Sequence, residues 1–227
     1  MSIESVIGRL PAEGAVLLSA DAIPFDDPAT YRLFSAGDTA GIPRFDHEDA
    51  LDYLRRLDPV RFAHLVAFQA LYRMSTLTAG LLDRYIDRRH GRERSDCEVP
   101  ALTPYFAETH GLPLYEEQLA RIGTEVARFT PDDAVRFARA YSRYDEPAMF
   151  AVAVRFSEGA SANGISGSAA KEMLDFLRRT GAFTLPETRL AGFATEGYRL
   201  AWLKAHYRDA FEAARCAAES ALAPSLA

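Results

Sequence analysis

The chain has 227 residues, 48% of them hydrophobic and 26% charged, with 14 glycines, 12 prolines and two cysteines. That composition excludes a disordered chain, and no apolar run approaches the ~18 residues a membrane span requires. Acids outnumber bases by 32 to 26, and residues 1–50 carry the excess, with nine acids against Arg9, Arg32 and Arg44, so a phosphate-binding field is available only where arginines cluster.

The first 45 residues read as an acidic N-terminal arm. Glu4 stands where a secretory leader would carry positive charge, and a cytoplasmic protein is expected. Apolar positions then recur at helical spacing and no run alternates as a strand would. The prediction is an all-α fold: one compact multi-helix domain over 46–220, with the arm 1–45 packed on it and a tail at 221–227. Helices are expected near 29–36 and 47–57. Asp58-Pro59 and Thr130-Pro131 place a capping side chain before a proline, which predicts helices over about 59–73 and 131–143. Within the first of these, His64 falls off the apolar stripe and reads as a surface residue. Further helices are predicted near 78–89, 114–128, 146–162, 166–179 and 188–220, the last broken near Tyr207. Arg92 to Pro104 and Thr180 to Pro186 read as irregular. Cys97 and Cys216 lie far apart with no metal-ligand spacing, so free thiols and no metal site are expected.

One basic cluster exists, Arg84, Arg88, Arg89, Arg92 and Arg94, interrupted by Asp83, Asp87 and Glu93. It reads either as a solvated helix end or as an anion-binding patch. Tyr198, Trp202 and His206 share one face of the last long helix and read as a core seam. No phosphate loop, dinucleotide fingerprint, nucleophile elbow or HExxH is present, so no cofactor is expected.

Six strings occur in a fixed order: Ile23-Pro24-Phe25-Asp26-Asp27, Leu54-Arg55-Arg56-Leu57, Ala70-Leu71-Tyr72-Arg73, Tyr85-Ile86-Asp87-Arg88-Arg89-His90-Gly91-Arg92, Leu114-Tyr115-Glu116-Glu117-Gln118 and Trp202-Leu203-Lys204-Ala205-His206-Tyr207. Together they resemble the fingers region of the C-family replicative polymerases, the bacterial DNA polymerase III alpha subunit, over about residues 20–215. The resemblance implies a fingers-like helical fold that holds the incoming nucleotide and template against a palm. The palm and its metal-binding aspartates would lie upstream of this sequence, so the chain alone is not expected to polymerise DNA.

Positions that would grip a nucleotide differ from that pattern. A Pro-Gly-Pro turn is replaced by Met74-Ser75-Thr76, and a lysine-rich loop by Arg139-Ala140-Tyr141-Ser142-Arg143-Tyr144-Asp145. Tyr-Gln-Glu-Gln has become Tyr115-Glu116-Glu117-Gln118, Asn-Lys-Ser-His has become Pro186-Glu187-Thr188-Arg189, and Gln-x-Glu-Ser has become Arg44-Phe45-Asp46-His47. The expectation is that nucleotide handling has lapsed and that the altered pocket serves a small organic molecule, through cofactor-free cyclase, isomerase or dehydratase chemistry in specialised metabolism. Asp46, His47, Tyr115 and Glu116 are then the candidate catalytic groups. Arg44, Tyr72, Arg73, Arg139, Tyr141, Arg143, Glu187 and Arg189 are candidate ligand contacts. Carboxylates beside His47 would raise its pKa and suit it to proton transfer, although His47-Glu48-Asp49 also reads as an ordinary helix start. Tyr115 reads equally as a tyrosine packed at a helix start. The alternative is a non-catalytic regulator, decoy or self-resistance protein that binds DNA, replication partners or a polymerase inhibitor. Neither a membrane nor, on the leading reading, nucleic acid is expected as a partner.

Overall fold

The computed structural model describes residues 1–10 and 19–222. Residues 11–18 of the acidic arm and 223–227 of the tail lie outside them. In chain order the helices are α1 (Ile3–Ile7), α2 (Pro28–Ala36), α3 (Glu48–Leu57), α4 (Phe62–Leu71), α5 (Met74–Thr78), α6 (Leu81–Arg89), α7 (Thr103–Phe106), α8 (Glu116–Ala127), α9 (Pro131–Ser142), α10 (Glu146–Ala162), α11 (Gly167–Thr180), α12 (Glu187–His206) and α13 (Arg208–Leu222). The fold is all-α as the periodicity predicts: the described residues contain no strand, only an isolated parallel bridge between Tyr115 and Leu185.

Cap chemistry sets several of the helix starts. Asp27, Thr130, Asp145 and Ser166 each accept the backbone N–H three residues on, from Thr30, Asp133, Ala148 and Ala169, and a proline sits in the first turn of α2, α9 and α10. The break expected near Tyr207 falls between α12 and α13.

One expected start is wrong. Asp58 does not open α4; it ends α3 in the left-handed conformation, at φ 47°, with its N–H on the Leu54 carbonyl. Its carboxylate instead accepts the Ser35 hydroxyl at 2.7 Å, and α4 begins at Phe62. His64 is also not a surface residue. It is buried, and its Nδ1 accepts the Val60 N–H at 3.2 Å just ahead of α4, partnering a donor that an Asp58 cap would otherwise have been expected to help satisfy.

The chain divides into two compact units, Met1–Gln69 with Ala191–Ala227, and Ala70–Leu190. In the first, Phe45 packs edge-on against Phe34 at 5.0 Å and stacks on Phe68 at 5.5 Å. A Cβ at position 197 would stand 2.4 Å from the Phe45 ring, so a glycine there is what lets α12 approach. The same unit buries polar anchors. Lys204, 1% exposed, donates to the carbonyls of Asp38 (3.0 Å) and Ala40 (3.1 Å) and to the Asp38 carboxylate (2.8 Å), which uses all three of its donors. Asp27 accepts the Thr30 hydroxyl at 2.7 Å and contacts His206 at 3.1 Å, while its own N–H donates to the Tyr198 hydroxyl. The seam expected from Tyr198, Trp202 and His206 is therefore graded: Tyr198 is fully buried, Trp202 half-buried, and His206 reaches the surface, where it meets Asp27.

The second unit packs α8, α9, α10 and α11 around Leu119, Ile122, Phe137, Phe156 and Phe176. Phe137 and Phe156 stack at 5.2 Å. Gly159 of α10 lies so close to the end of α8 that a Cβ would meet the Ala127 carbonyl oxygen at 1.9 Å.

Candidate functional site

The expected site residues fall in both units. Arg44, Asp46 and His47 belong to the first. Arg44 adopts φ 69° at the turn before α3 and lays its guanidinium over the Phe193 ring, 3.5 Å from the centroid, so part of its role is structural. Asp46 and His47 are exposed, and His47 occupies the N-cap position of α3 without a side-chain capping bond.

The other candidates belong to the second unit. Tyr72 is half-buried at the end of α4. Arg73, also half-buried, gives its Nε to the Ala70 carbonyl (2.7 Å) and a terminal nitrogen to the Phe183 carbonyl (2.6 Å), and burial lowers its pKa. Two of its donors thus hold a chain crossing. Tyr115 is 7% exposed and packed at the start of α8; its N–H and that of Leu114 donate to the Gln118 side-chain oxygen. Glu116 accepts the Ser142 hydroxyl at 2.7 Å, and its N–H joins the Leu185 carbonyl.

These bonds bring carboxylates together. Both oxygens of Glu117 accept the Glu187 N–H, at 2.9 and 3.1 Å, where α12 begins. Burial, then the negative charges of Glu117 and Glu108, push the Glu187 carboxyl above its ordinary value. Arg139, Arg143 and Arg189 are exposed.

The expected ligand residue Tyr141 leads to a different place. It lies at the end of α9 and walls a groove of about 370 Å³, with Met149, Ala153 and Leu174 as apolar lining and Phe150, 76% exposed, at the edge. Two ion pairs rim it, Arg178 with Glu146 at 3.0 Å and Lys171 with Asp175 at 2.6 Å. Tyr141 itself is 3% exposed. Burial pushes its hydroxyl up to about 12, with smaller opposed influences from Arg178 and Asp175. Sequence reasoning missed the rest of this groove because Met149 and Leu174 carry ordinary core periodicity.

The arginine cluster resolves as a salt-bridged helix end. Arg88 and Arg84 meet Glu93 at 2.9 and 3.5 Å, Arg92 meets Asp87 at 2.7 Å, and Arg94 meets Asp96 at 2.6 Å. Among the described residues no group of three or more His, Cys, Asp or Glu side chains could hold a metal ion, and no helix is long and apolar enough to cross a membrane. Cys97 and Cys216 are free thiols, the first buried and the second exposed.

Comparison with known proteins gives this architecture its relatives. The chain is 30% identical over 211 residues to the DNA polymerase III subunit alpha of Haemophilus influenzae, covering 91% of this chain and 18% of that protein. It is 29% identical over 218 residues to the Escherichia coli K12 subunit (94% and 19%) and 29% identical over 197 residues to that of Aquifex aeolicus (87% and 17%). It thus spans less than a fifth of the length of these relatives. Residues 3–164 match the family described as the bacterial DNA polymerase III alpha subunit finger domain, and the chain belongs to that family.

Proposed function

We propose that this finger domain no longer handles nucleoside triphosphates and instead binds a small organic molecule. The observation that carries the first half is the carboxylate gathering at Glu187. A triphosphate needs cations, and each carboxylate about 5 Å from a phosphate costs on the order of 1–3 kcal/mol. Here burial, and after it the charges of Glu117 and Glu108, already raises the Glu187 pKa. Arg73 is occupied by the Ala70 and Phe183 carbonyls. The second half is supported by the groove beside Tyr141, whose volume and mainly apolar lining suit a small ligand.

Binding is better supported than turnover. The Tyr115 ring is packed away and the Glu116 carboxylate holds Ser142, so these two side chains serve the local structure. Duplex DNA is not the partner in this reading, because four of the five arginines from Arg84 to Arg94 are paired with three acids, Glu93, Asp87 and Asp96, which removes most of the cluster's positive charge.

Thermal-shift measurements test the reading. Neutral organic fragments should raise the melting temperature, whereas deoxynucleoside triphosphates with magnesium should leave it unmoved. The reverse pattern would overturn it.

A further inference from the structure

The Tyr141 side chain is almost wholly buried, but its hydroxyl is not enclosed: it makes no hydrogen bond to a described residue and opens onto the groove, which Arg178 and Asp175, the charges that act on it, also line. A hydroxyl open to a groove gives its hydrogen bond to water, which a ligand oxygen can replace. The rim offers no net charge, because each cation already faces a carboxylate, and an ionic ligand would have to displace one member of a pair. Met149, Ala153 and Leu174 line the same groove, and Phe150, another lining residue, is largely exposed. We infer that the groove between α10 and α11 is a binding site for a neutral, mainly apolar organic molecule bearing a carbonyl oxygen, which accepts the Tyr141 hydroxyl while its body covers Phe150 and Met149. At neutral pH the tyrosine stays protonated and serves as the donor. The inference rests on the small-molecule reading above and assigns it a place, an anchor and a ligand class.

Acetophenone is a suitable probe and ethylbenzene its carbonyl-free counterpart. Each is titrated into the full chain carrying ¹³C-labelled methionine, alanine and leucine methyl groups, in the native protein and in Tyr141→Phe. The substitution removes a hydroxyl that bonds to nothing in the protein, so the variant folds. Acetophenone should shift the Met149, Ala153 and Leu174 methyls saturably. Binding should weaken about 3- to 10-fold in Tyr141→Phe, as loss of one neutral hydrogen bond predicts, and ethylbenzene should bind the native protein more weakly by a similar factor. Equal affinity in Tyr141→Phe would overturn the anchor. Saturable shifts confined to other methyls would overturn the site while leaving the small-molecule reading in place. Groove shifts that depend on protein concentration without probe would assign the face to a second copy of the chain and overturn the inference. No saturable shift anywhere would remove both readings.

Discussion

The two units differ in what their polar side chains anchor. In the first, a few buried polar groups tie loops to helices: Lys204 spends three donors on Asp38 and Ala40, and Asp27 ties α2 to Thr30, Tyr198 and His206, while Gln69 Nε2 and Arg199 Nε are buried without a hydrogen-bond partner among the described residues. In the second, apolar packing is joined by the hydrogen bonds of Arg73 and Gln118, charged side chains pair at the surface, and the Tyr141 hydroxyl opens onto a groove without a partner among the described residues. The strings that resemble polymerase fingers include the anchors of the first kind. Asp27 and Lys204 stand in two of them. Within the strings that differ from that pattern, Arg139, Arg143 and Arg189 are exposed, whereas Thr76 and Tyr141 are buried. A side chain whose every hydrogen bond is internal cannot change without cost, whereas an exposed one can.

Lys204→Met breaks this contrast most sharply. It leaves two carbonyls and one carboxylate oxygen without their donor, and urea denaturation should show a loss of about 3 kcal/mol. The corresponding blow to the second unit is steric. Gly159→Ala drives a methyl into the Ala127 carbonyl, and the same measurement should show about 2 kcal/mol lost even after alanine's better helix propensity.

Acid should separate the units next. Burial alone would raise the Asp27 and Asp38 pKa values, but hydrogen bonds from Thr30 and His206 in one case, and Lys204 and Arg208 in the other, hold both below the ordinary 3.8. A depressed folded-state pKa stabilises fully above the unfolded value and loses that contribution as pH falls through the lowered one. Hydrogen exchange should therefore find α2 and the second half of α12 losing protection below about pH 4, before α8 to α11 do. In the second unit Asp133 is held at about 2 by Arg155, but at the surface, where such pairing moves stability little. Asp27→Asn should flatten the acid dependence of the first unit. The smallest effect belongs to Tyr141→Phe. With no protein partner for the hydroxyl, its unfolding free energy from urea denaturation should stay within about 0.5 kcal/mol of the native chain's.

Much of the fold was legible in the sequence because caps and periodicity are local signals. Thr130-Pro131 and the break at Tyr207 fall where local reasoning puts them. Asp58 misled because the same side chain can end one helix or begin the next, and the Ser35 hydroxyl that engages it lies 23 residues away. The short helices α1, α5 and α7 are shorter than any periodic pattern can mark. Lys204 could not be told from a surface lysine, since its partners come from a distant loop. The groove was legible only at Tyr141: its other walls come from α10 and α11, and their apolar positions look like core until the helices are placed.

We propose that this finger domain no longer binds nucleoside triphosphates. Calorimetric titration of dATP with magnesium into the full chain tests it most directly. The account predicts only heat of dilution; a saturable, magnesium-dependent isotherm that Arg139→Ala and Arg143→Ala abolish would contradict it.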